Sequence, residues 1–275
     1  MAAGGIPLIF LKNLLFHGVC FRNQPRYFAL KARAMQTAAR LGLYEAADVK
    51  RLPFLIRPGS EVVDVGANFG AYTVVLARLV GPSGKVFAFE PLPPTADTLV
   101  RTCARLGNVV ILREALSDGA HAQEEVDLRV PFLAGAVPEP ALAAVDPAPW
   151  ADSGLKTWKV FRVRVRRLDD HLGSFRDISF IKVDVEGREA AFLAGATETI
   201  HRFRPMLQLE SSGLRACAAT VNAWLREAQY VLMTAVNGRL ERCAAEALSG
   251  LNAYAVPEEL VDRLPAALRT RPGQT

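Results

Sequence analysis

The chain has 275 residues, 51% hydrophobic and 22% charged, with 33 basic and 28 acidic side chains giving a net charge of +5. This is the composition of an ordinary globular protein with ample material for a buried core, and the length suits a single α/β domain. The basic excess is small and scattered, which argues against a nucleic-acid surface. Cys20, Cys103, Cys217 and Cys243 form no Cys-x-x-Cys pair, so a zinc or disulfide framework gives way to reduced thiols in a cytoplasmic protein.

The run Ile6 to Phe16 is apolar but interrupted by Pro7, Lys12 and Asn13. It is too short to span a bilayer, lacks a small-residue cleavage site, and reads as a helix packed on the domain. Leu30, Ala34, Ala38 and Leu41 predict helix from Tyr27 to Leu55. Residues 1–56 thus read as a helical extension or cap. After the breaker Arg57-Pro58-Gly59, residues 57–275 read as the main domain.

Glu61 to Val65 reads as a strand, Gly66-Ala67-Asn68-Phe69-Gly70 as a tight turn, and Tyr72 to Leu79 as a helix. A strand-turn-helix junction lets a nucleotide-like ligand approach backbone N–H groups. The turn is Gly-x-Asn-x-Gly, and Asp64 lies two residues before its first glycine. A pyrophosphate would be repelled there. S-adenosylmethionine (SAM) carries no phosphate and offers a sulfonium and an amino group, both favoured by a carboxylate. The turn leans toward a methyl donor and away from NAD.

Gly81-Pro82-Ser83-Gly84 then turns the chain into a strand at Lys85 to Phe89, ending at Glu90-Pro91. Pro94 to Leu106 predicts a helix and Val109 to Leu112 a third strand. Residues 119–175 read as inserted strands with a substrate loop or lid around Pro138 to Ser153. Within them Trp158 to Arg167 alternates, with Phe161, Val163 and Val165 on one side and Arg162, Arg164 and Arg166 on the other. This is a half-buried strand with a basic, solvated face. Ile178 to Asp184 predicts a strand, Arg188 to Phe203 a helix, and Pro205 to Glu210 a further strand. Short apolar strands alternating with helices predict a parallel sheet covered on both faces. Ligands then sit outside the strands' carboxyl ends, where Asp64, Glu90, Asp184 and Glu210 should ring one cleft.

The segments Val63-Asp64-Val65-Gly66-Ala67-Asn68-Phe69-Gly70-Ala71-Tyr72-Thr73, Phe89-Glu90-Pro91, Ala115-Leu116-Ser117-Asp118, Arg167-Leu168-Asp169-Asp170 and Ile181-Lys182-Val183-Asp184-Val185-Glu186-Gly187 together resemble the FkbM-type family of SAM-dependent methyltransferases. The resemblance covers residues 45 to 210. It implies a Rossmann-like class I methyltransferase fold: a mostly parallel seven-stranded sheet with helices on both faces and an antiparallel final strand. Tyr230 to Val236 and Leu251 to Val256 would supply the last two strands. It also implies methyl transfer to a hydroxyl of a sugar, lipid or polyketide-like metabolite. Carried over, Asp64, Gly66 and Asn68 would surround the methionine part of SAM, within a turn completed by Gly70 and Tyr72. Glu90 would meet the ribose hydroxyls, and Ser117 with Asp118 would border the adenine. Phe69 departs from the family's usual aliphatic residue, which bears on packing beneath the turn.

A hydroxyl acceptor is a poor nucleophile until its proton is removed, so a positioned base helps. Asp184, Glu186 and Glu210 are the candidates, with Asp184 first as base or acceptor-positioning group. The same three carboxylates could hold a divalent cation, a reading not favoured because strand-end acids alone do not fix an octahedral site. Glu186 could instead stabilise a helix start. His17, His121, His171 and His201 are given no role. An NAD-type oxidoreductase, and a non-catalytic SAM-binding module or a methyltransferase of protein or RNA, are the alternatives, with RNA disfavoured by the scattered basic residues. The expected partner is a small-molecule or glycan hydroxyl, without nucleic acid and without a transmembrane segment.

Overall fold

A computed structural model describes residues 37, 48–120, 125–133, 137–138 and 158–269. The apolar run at 6–16, most of the helix predicted from Tyr27, His17, His121 and the loop after Pro138 lie outside those residues. Three strands come first: β1 (Glu61–Val65), β2 (Lys85–Phe89) and β3 (Val109–Leu112). Next are β4 (Glu114–Leu116), β5 (Glu125–Leu133), β6 (Val137–Pro138) and β7 (Trp158–Arg166). Last come β8 (Ile178–Val183), β9 (Met206–Glu210), β10 (Tyr230–Val236), β11 (Arg239–Arg242) and β12 (Asn252–Pro257). The helices used below are α1 (Leu52–Leu55), α2 (Ala71–Val80), α3 (Pro93–Cys103), α4 (Glu189–Ala194), α5 (Thr197–Phe203), α6 (Ser211–Ala216) and α7 (Ala218–Ala228).

The main sheet has the order β11-β10-β12-β9-β8-β1-β2-β3. Strands β9, β8, β1, β2 and β3 pair in parallel, and β12 runs antiparallel to both β9 and β10. All five residues of β1 are buried, as a central strand covered on both faces requires. Val63, Val65, Ile181, Leu207 and Leu209 join one core layer; Val62, Val86, Phe180, Tyr254 and Val256 join the other. The expected seven-stranded plan is present, and β11 adds an eighth strand at its edge. That hairpin turns at Asn237-Gly238, with φ of 48° and 85°, the left-handed pair that a two-residue turn needs.

The helix expected from Arg188 to Phe203 is two helices. Gly195 presses its backbone on the loop after β4, where a Cβ would lie 1.8 Å from the Ser117 carbonyl oxygen. The second helix, α5, is capped from another segment. Asp169 accepts hydrogen bonds from the Thr199 N–H at 2.8 Å, the Thr199 hydroxyl at 2.7 Å and the Glu198 N–H at 3.1 Å. Asp170 beside it accepts from the Arg167 backbone N–H and guanidinium. The Arg-Leu-Asp-Asp motif is therefore a helix-docking device.

The inserted strands form a second sheet, β4-β7-β5-β6, which buries Leu128, Val130 and Val163 against Leu92. Phe161, Val163 and Val165 point inward as the alternation predicts, but the outer face is not purely basic. Arg164 stands opposite Glu114 and Glu125, and Arg162 opposite Asp127. Ion pairs form at 3.5 Å (Arg164–Glu114) and 3.9 Å (Arg162–Asp127). At the start of the described chain, Asp48 accepts from Asn252 Nδ2 at 2.8 Å and from the Tyr254 hydroxyl at 2.7 Å, fastening this segment to β12. Cys103, Cys217 and Cys243 are free thiols. Among the described residues no helix is long and apolar enough to cross a membrane.

Candidate active site at the carboxyl ends of the strands

The order β9-β8-β1-β2 sets the carboxyl ends of four neighbouring parallel strands side by side, and with them Glu210, Asp184, Asp64 and Glu90. The donor half is built first. Gly66 has φ of 71°, and a Cβ there would come within 2.0 Å of the Asp184 carbonyl oxygen, so only glycine lets β1 turn against β8. The N–H groups of Gly66 and Ala67 both donate to the Phe89 carbonyl at 3.0 Å, which ties the turn to β2. Asn68 is itself left-handed, at φ 51°. Gly70 leads into α2, and a Cβ on it would strike Leu99 Cδ1 at 2.7 Å. Phe69 is buried beneath the turn.

Glu90 follows β2. Its Oε2 accepts from the Asn68 N–H at 2.8 Å and its Oε1 from the Leu92 N–H at 3.0 Å. Burial pushes this carboxyl up to about 7, against the pull of those two N–H groups and of Lys182. Each oxygen keeps a lone pair for a further donor.

Asp64 sits one residue inside β1 and is fully buried. Its Oδ2 accepts from the Thr73 hydroxyl at 2.6 Å, and its Oδ1 lies 3.5 Å from Lys182 Nζ. The sequence presents Asp64 as a charge open to the ligand. In the structure that charge is paired inside the fold, so its field at the turn is largely offset by Lys182. The Tyr72 hydroxyl accepts from Gln208 Nε2 at 3.3 Å, and the Lys182 ammonium lies 5.1 Å from the Tyr72 ring centre.

The other half is acidic and less satisfied. Asp184 is 45% exposed and lies 3.2 Å from Lys182 Nζ. Glu186 adopts φ of 52°, an uncommon conformation for a residue with a side chain. Burial, then repulsion from Asp184, Glu210 and Glu189, pushes its carboxyl up to about 8. Glu186 is exposed at its surface, so the repulsion is the cause the geometry supports best. Glu210 receives a short hydrogen bond from the Ser212 hydroxyl on Oε1, while its Oε2 is buried without a partner. The helix-start role considered for Glu186 belongs to Glu189. That residue is fully buried, and its Oε1 accepts from the Val185 and Gly187 N–H groups at 3.4 Å each. Its Oε2 fills the space beside Gly213, where a Cβ would lie 1.6 Å away. Burial, with repulsion from Glu210, pushes the Glu189 carboxyl up to about 7.

Ser117 and Asp118 follow β4. The Ser117 N–H donates to the Arg166 carbonyl at 2.9 Å, and Asp118 Oδ1 accepts from the Ala120 N–H at 3.0 Å. Sequence reasoning gave no role to Lys182, Thr73, Gln208 or Glu189. Lys182 carried a signal: a lysine in the otherwise apolar run Ile178-Ser179-Phe180-Ile181 of a central strand needs a buried partner. Among the described residues no group of three His, Cys, Asp or Glu side chains is arranged to hold a metal ion.

The match with known proteins agrees with this geometry. The model of the methyltransferase FkbM domain matches residues 64–232. The chain belongs to the FkbM family of SAM-dependent methyltransferases. Among curated relatives, the ribosomal RNA large subunit methyltransferase E of Acidithiobacillus ferrooxidans is 38% identical over 94 residues, 32% of this chain and 42% of that protein. The protein-L-isoaspartate O-methyltransferase of Aeropyrum pernix is 30% identical over 94 residues, 33% of this chain and 35% of that protein. The FkbM protein thus spans less than half the length of these two relatives. Among solved structures, the FkbM methyltransferase of Methylobacillus flagellatus KT has a TM-score of 0.45 at 18% identity, covering 81% of this chain and 58% of that one.

The donor half suits the family's cofactor. Asn68 Oδ1 is a buried acceptor without a partner, and Glu90 has free lone pairs. Such a set fits a ligand that brings hydroxyl and ammonium donors, as SAM does, and fits an anion poorly.

Proposed function

We propose that this protein is a SAM-dependent O-methyltransferase acting on a hydroxyl of a small-molecule or glycan acceptor. The observation that carries the reading is the meeting of two unlike halves at adjacent strand ends. One is a glycine turn with unfilled hydrogen-bond acceptors at Asn68 and Glu90; the other is a carboxylate group of Asp184, Glu186 and Glu210. SAM, when bound, supplies a methyl group activated by the sulfonium. Gly66, Asn68, Gly70 and Glu90 would hold it, Asp64 and Tyr72 would support the turn from below, and Ser117 with Asp118 would border the adenine.

On the acceptor side Asp184 orients the hydroxyl, and Glu186 takes its proton. Crowding by Asp184, Glu210 and Glu189 moves this carboxyl up toward the pH at which it must work, which is where a general base is most effective. Glu210, whose Oε2 has no partner within the fold, would accept a hydrogen bond from the acceptor. Much of the rate would then come from how firmly these residues align the acceptor hydroxyl with the donor.

The names of the curated relatives point to RNA and protein acceptors. For this chain, the acids opposite Arg162 and Arg164 weigh against a phosphate-binding face. The deciding experiment is transfer of labelled methyl from SAM to three pools, a metabolite and glycan extract, total RNA and total protein, each with and without chelator. Calorimetry with SAM and NAD runs beside it. Label in the small-molecule pool supports the reading. Label in RNA or protein alone overturns the acceptor, and NAD binding without SAM binding overturns the whole.

A further inference from the structure

Lys182 is the one described cation drawn in among the strand-end acids at ion-pairing distance. Its side chain is 7% exposed and reaches in four directions. It donates to the Gly66 carbonyl at 3.2 Å, pairs with Asp64 at 3.5 Å and Asp184 at 3.2 Å, and lies 5.1 Å from the Tyr72 ring centre. Two of these contacts belong to β1 and its turn, one to α2 and one to the end of β8. A buried ammonium is costly unless paired, and here burial works against the charge while Asp64 and Asp184 outweigh it. Its second carboxylate, Asp184, is 45% exposed at the end of β8, where the strand-end acids gather.

We propose that Lys182 is a positioning residue for the methyl transfer, one ammonium that fixes the donor turn and the acceptor-orienting Asp184 relative to each other. The inference rests on the reading of this cleft as the methyl-transfer site. Lys182 holds the Gly66 carbonyl on the donor side and the Asp184 carboxylate on the acceptor side, so alignment does not depend on loop stiffness alone. Its charge also acts on Glu90, just after β2, and on Glu186, opposing the upward push on both. The groups facing it are Asp64, Tyr72, Glu90, Asp184, Glu186 and, from β9, Gln208 through Tyr72.

The test uses the full chain, with SAM and whichever pool accepts label. Lys182→Met is expected to lower kcat about a hundredfold, the scale of a 1 Å misplacement, and to weaken SAM binding about tenfold. It also shifts the alkaline-going limb of the pH–rate profile, which reports Glu186, to higher pH. Lys182→Arg keeps the charge, so that limb stays in place while kcat falls through misfit. Because Lys182→Met strands a buried Asp64, the pair Asp64→Asn with Lys182→Met is made alongside it. Folded variants with kcat/KM within threefold of wild type and an unmoved limb would overturn the proposal. In the unaltered protein, the 15N signal of the Lys182 ammonium should shift on saturation with SAM; a signal that ignores SAM overturns it independently. Wild-type protein that binds no SAM defeats the functional reading instead, whatever the variants do.

Discussion

The two halves of the cleft are built on opposite principles. On the donor side the backbone of β1, β2 and the turn is satisfied within the fold, and what stays open is Asn68 Oδ1 and the spare lone pairs of Glu90. The Gly66 and Ala67 N–H groups meet the Phe89 carbonyl, Glu90 takes two N–H groups, and Asp64 takes Thr73 and Lys182. On the acceptor side like charges crowd together, Glu186 is held at positive φ, and Glu189 Oε2 and Glu210 Oε2 lack partners. A turn that must present backbone to a fixed ligand gains from internal satisfaction. A group that must take up a proton gains from being kept off balance.

The contrast breaks most completely at Gly66. Gly66→Ala forces a Cβ into the Asp184 carbonyl oxygen at a φ of 71°. Stability should fall by about 3 kcal/mol or more, and SAM binding should vanish with it. Thermal melting and calorimetry read both. A melting point within about 2 °C of wild type would show that the turn is not locked against β8.

Changes on the acceptor side should separate from the donor side. Glu186→Gln and Asp184→Asn are each expected to lower kcat between about a hundredfold and ten-thousandfold, while SAM affinity stays within about threefold. Equal losses of kcat and SAM affinity would mean that the two halves are one site, and the division drawn above would fail.

The frame of the glycine turn was legible in the sequence because its signals are local. Strand, glycine turn and helix follow one another between Glu61 and Val80, and burial on both faces writes β1 as valines interrupted by Asp64 alone after Glu61. The signal for the edge strand β11 is equally local, since Asn237-Gly238 between two strand-forming runs is a hairpin signal, but it lies outside the seven-stranded plan. The break between α4 and α5 was not legible. It depends on Ser117 and Asp169, 78 and 30 residues away from Gly195 and Thr199 (195 − 117 and 199 − 169). The pairing of Asp64 with Lys182 was hidden for the same reason: it joins strands 118 residues apart (182 − 64). Residue types at strand ends announce a cleft; only topology says which charges cancel before a ligand arrives.

The next effect is on stability against pH, and it is smaller. Glu90 and Glu189 are buried, and both have folded-state values of about 7 against an ordinary 4.5. Below about pH 4.5 each is protonated folded and unfolded, and the contribution of the protonated fold is whole. As pH rises the unfolded chain gives up these protons first, so stability is lost progressively until the pH passes about 7. The loss over this window should amount to a few kcal/mol. Chemical denaturation at pH 5 and pH 7.5 measures it. The Glu189→Gln variant should flatten the fall from the acceptor side alone, and saturating SAM should flatten the Glu90 share by bringing donors to its carboxylate. A stability that rises from pH 5 to 7.5 would mean that these carboxyls are ionised in the fold, and the off-balance character of the acceptor side would go with them.

The smallest effect is expected on the second sheet, where Arg162 and Arg164 are 75% and 58% exposed beside Asp127 and Glu114. Exposed pairs of this kind contribute about 0–1 kcal/mol, so the double change Arg162→Ala with Arg164→Ala should barely move the melting point. For a small hydroxyl acceptor, kcat/KM should also stay within about twofold, because a compensated face beyond the cleft has nothing to hold. An RNA acceptor would behave differently. Each arginine neutralising a phosphate would add about one unit to the salt slope of binding, and removing both would weaken binding steeply at low salt. An unchanged fold combined with a large, salt-dependent loss of transfer would therefore move recognition out of the cleft and onto β7, and the comparison would then lie between the strand ends and this sheet.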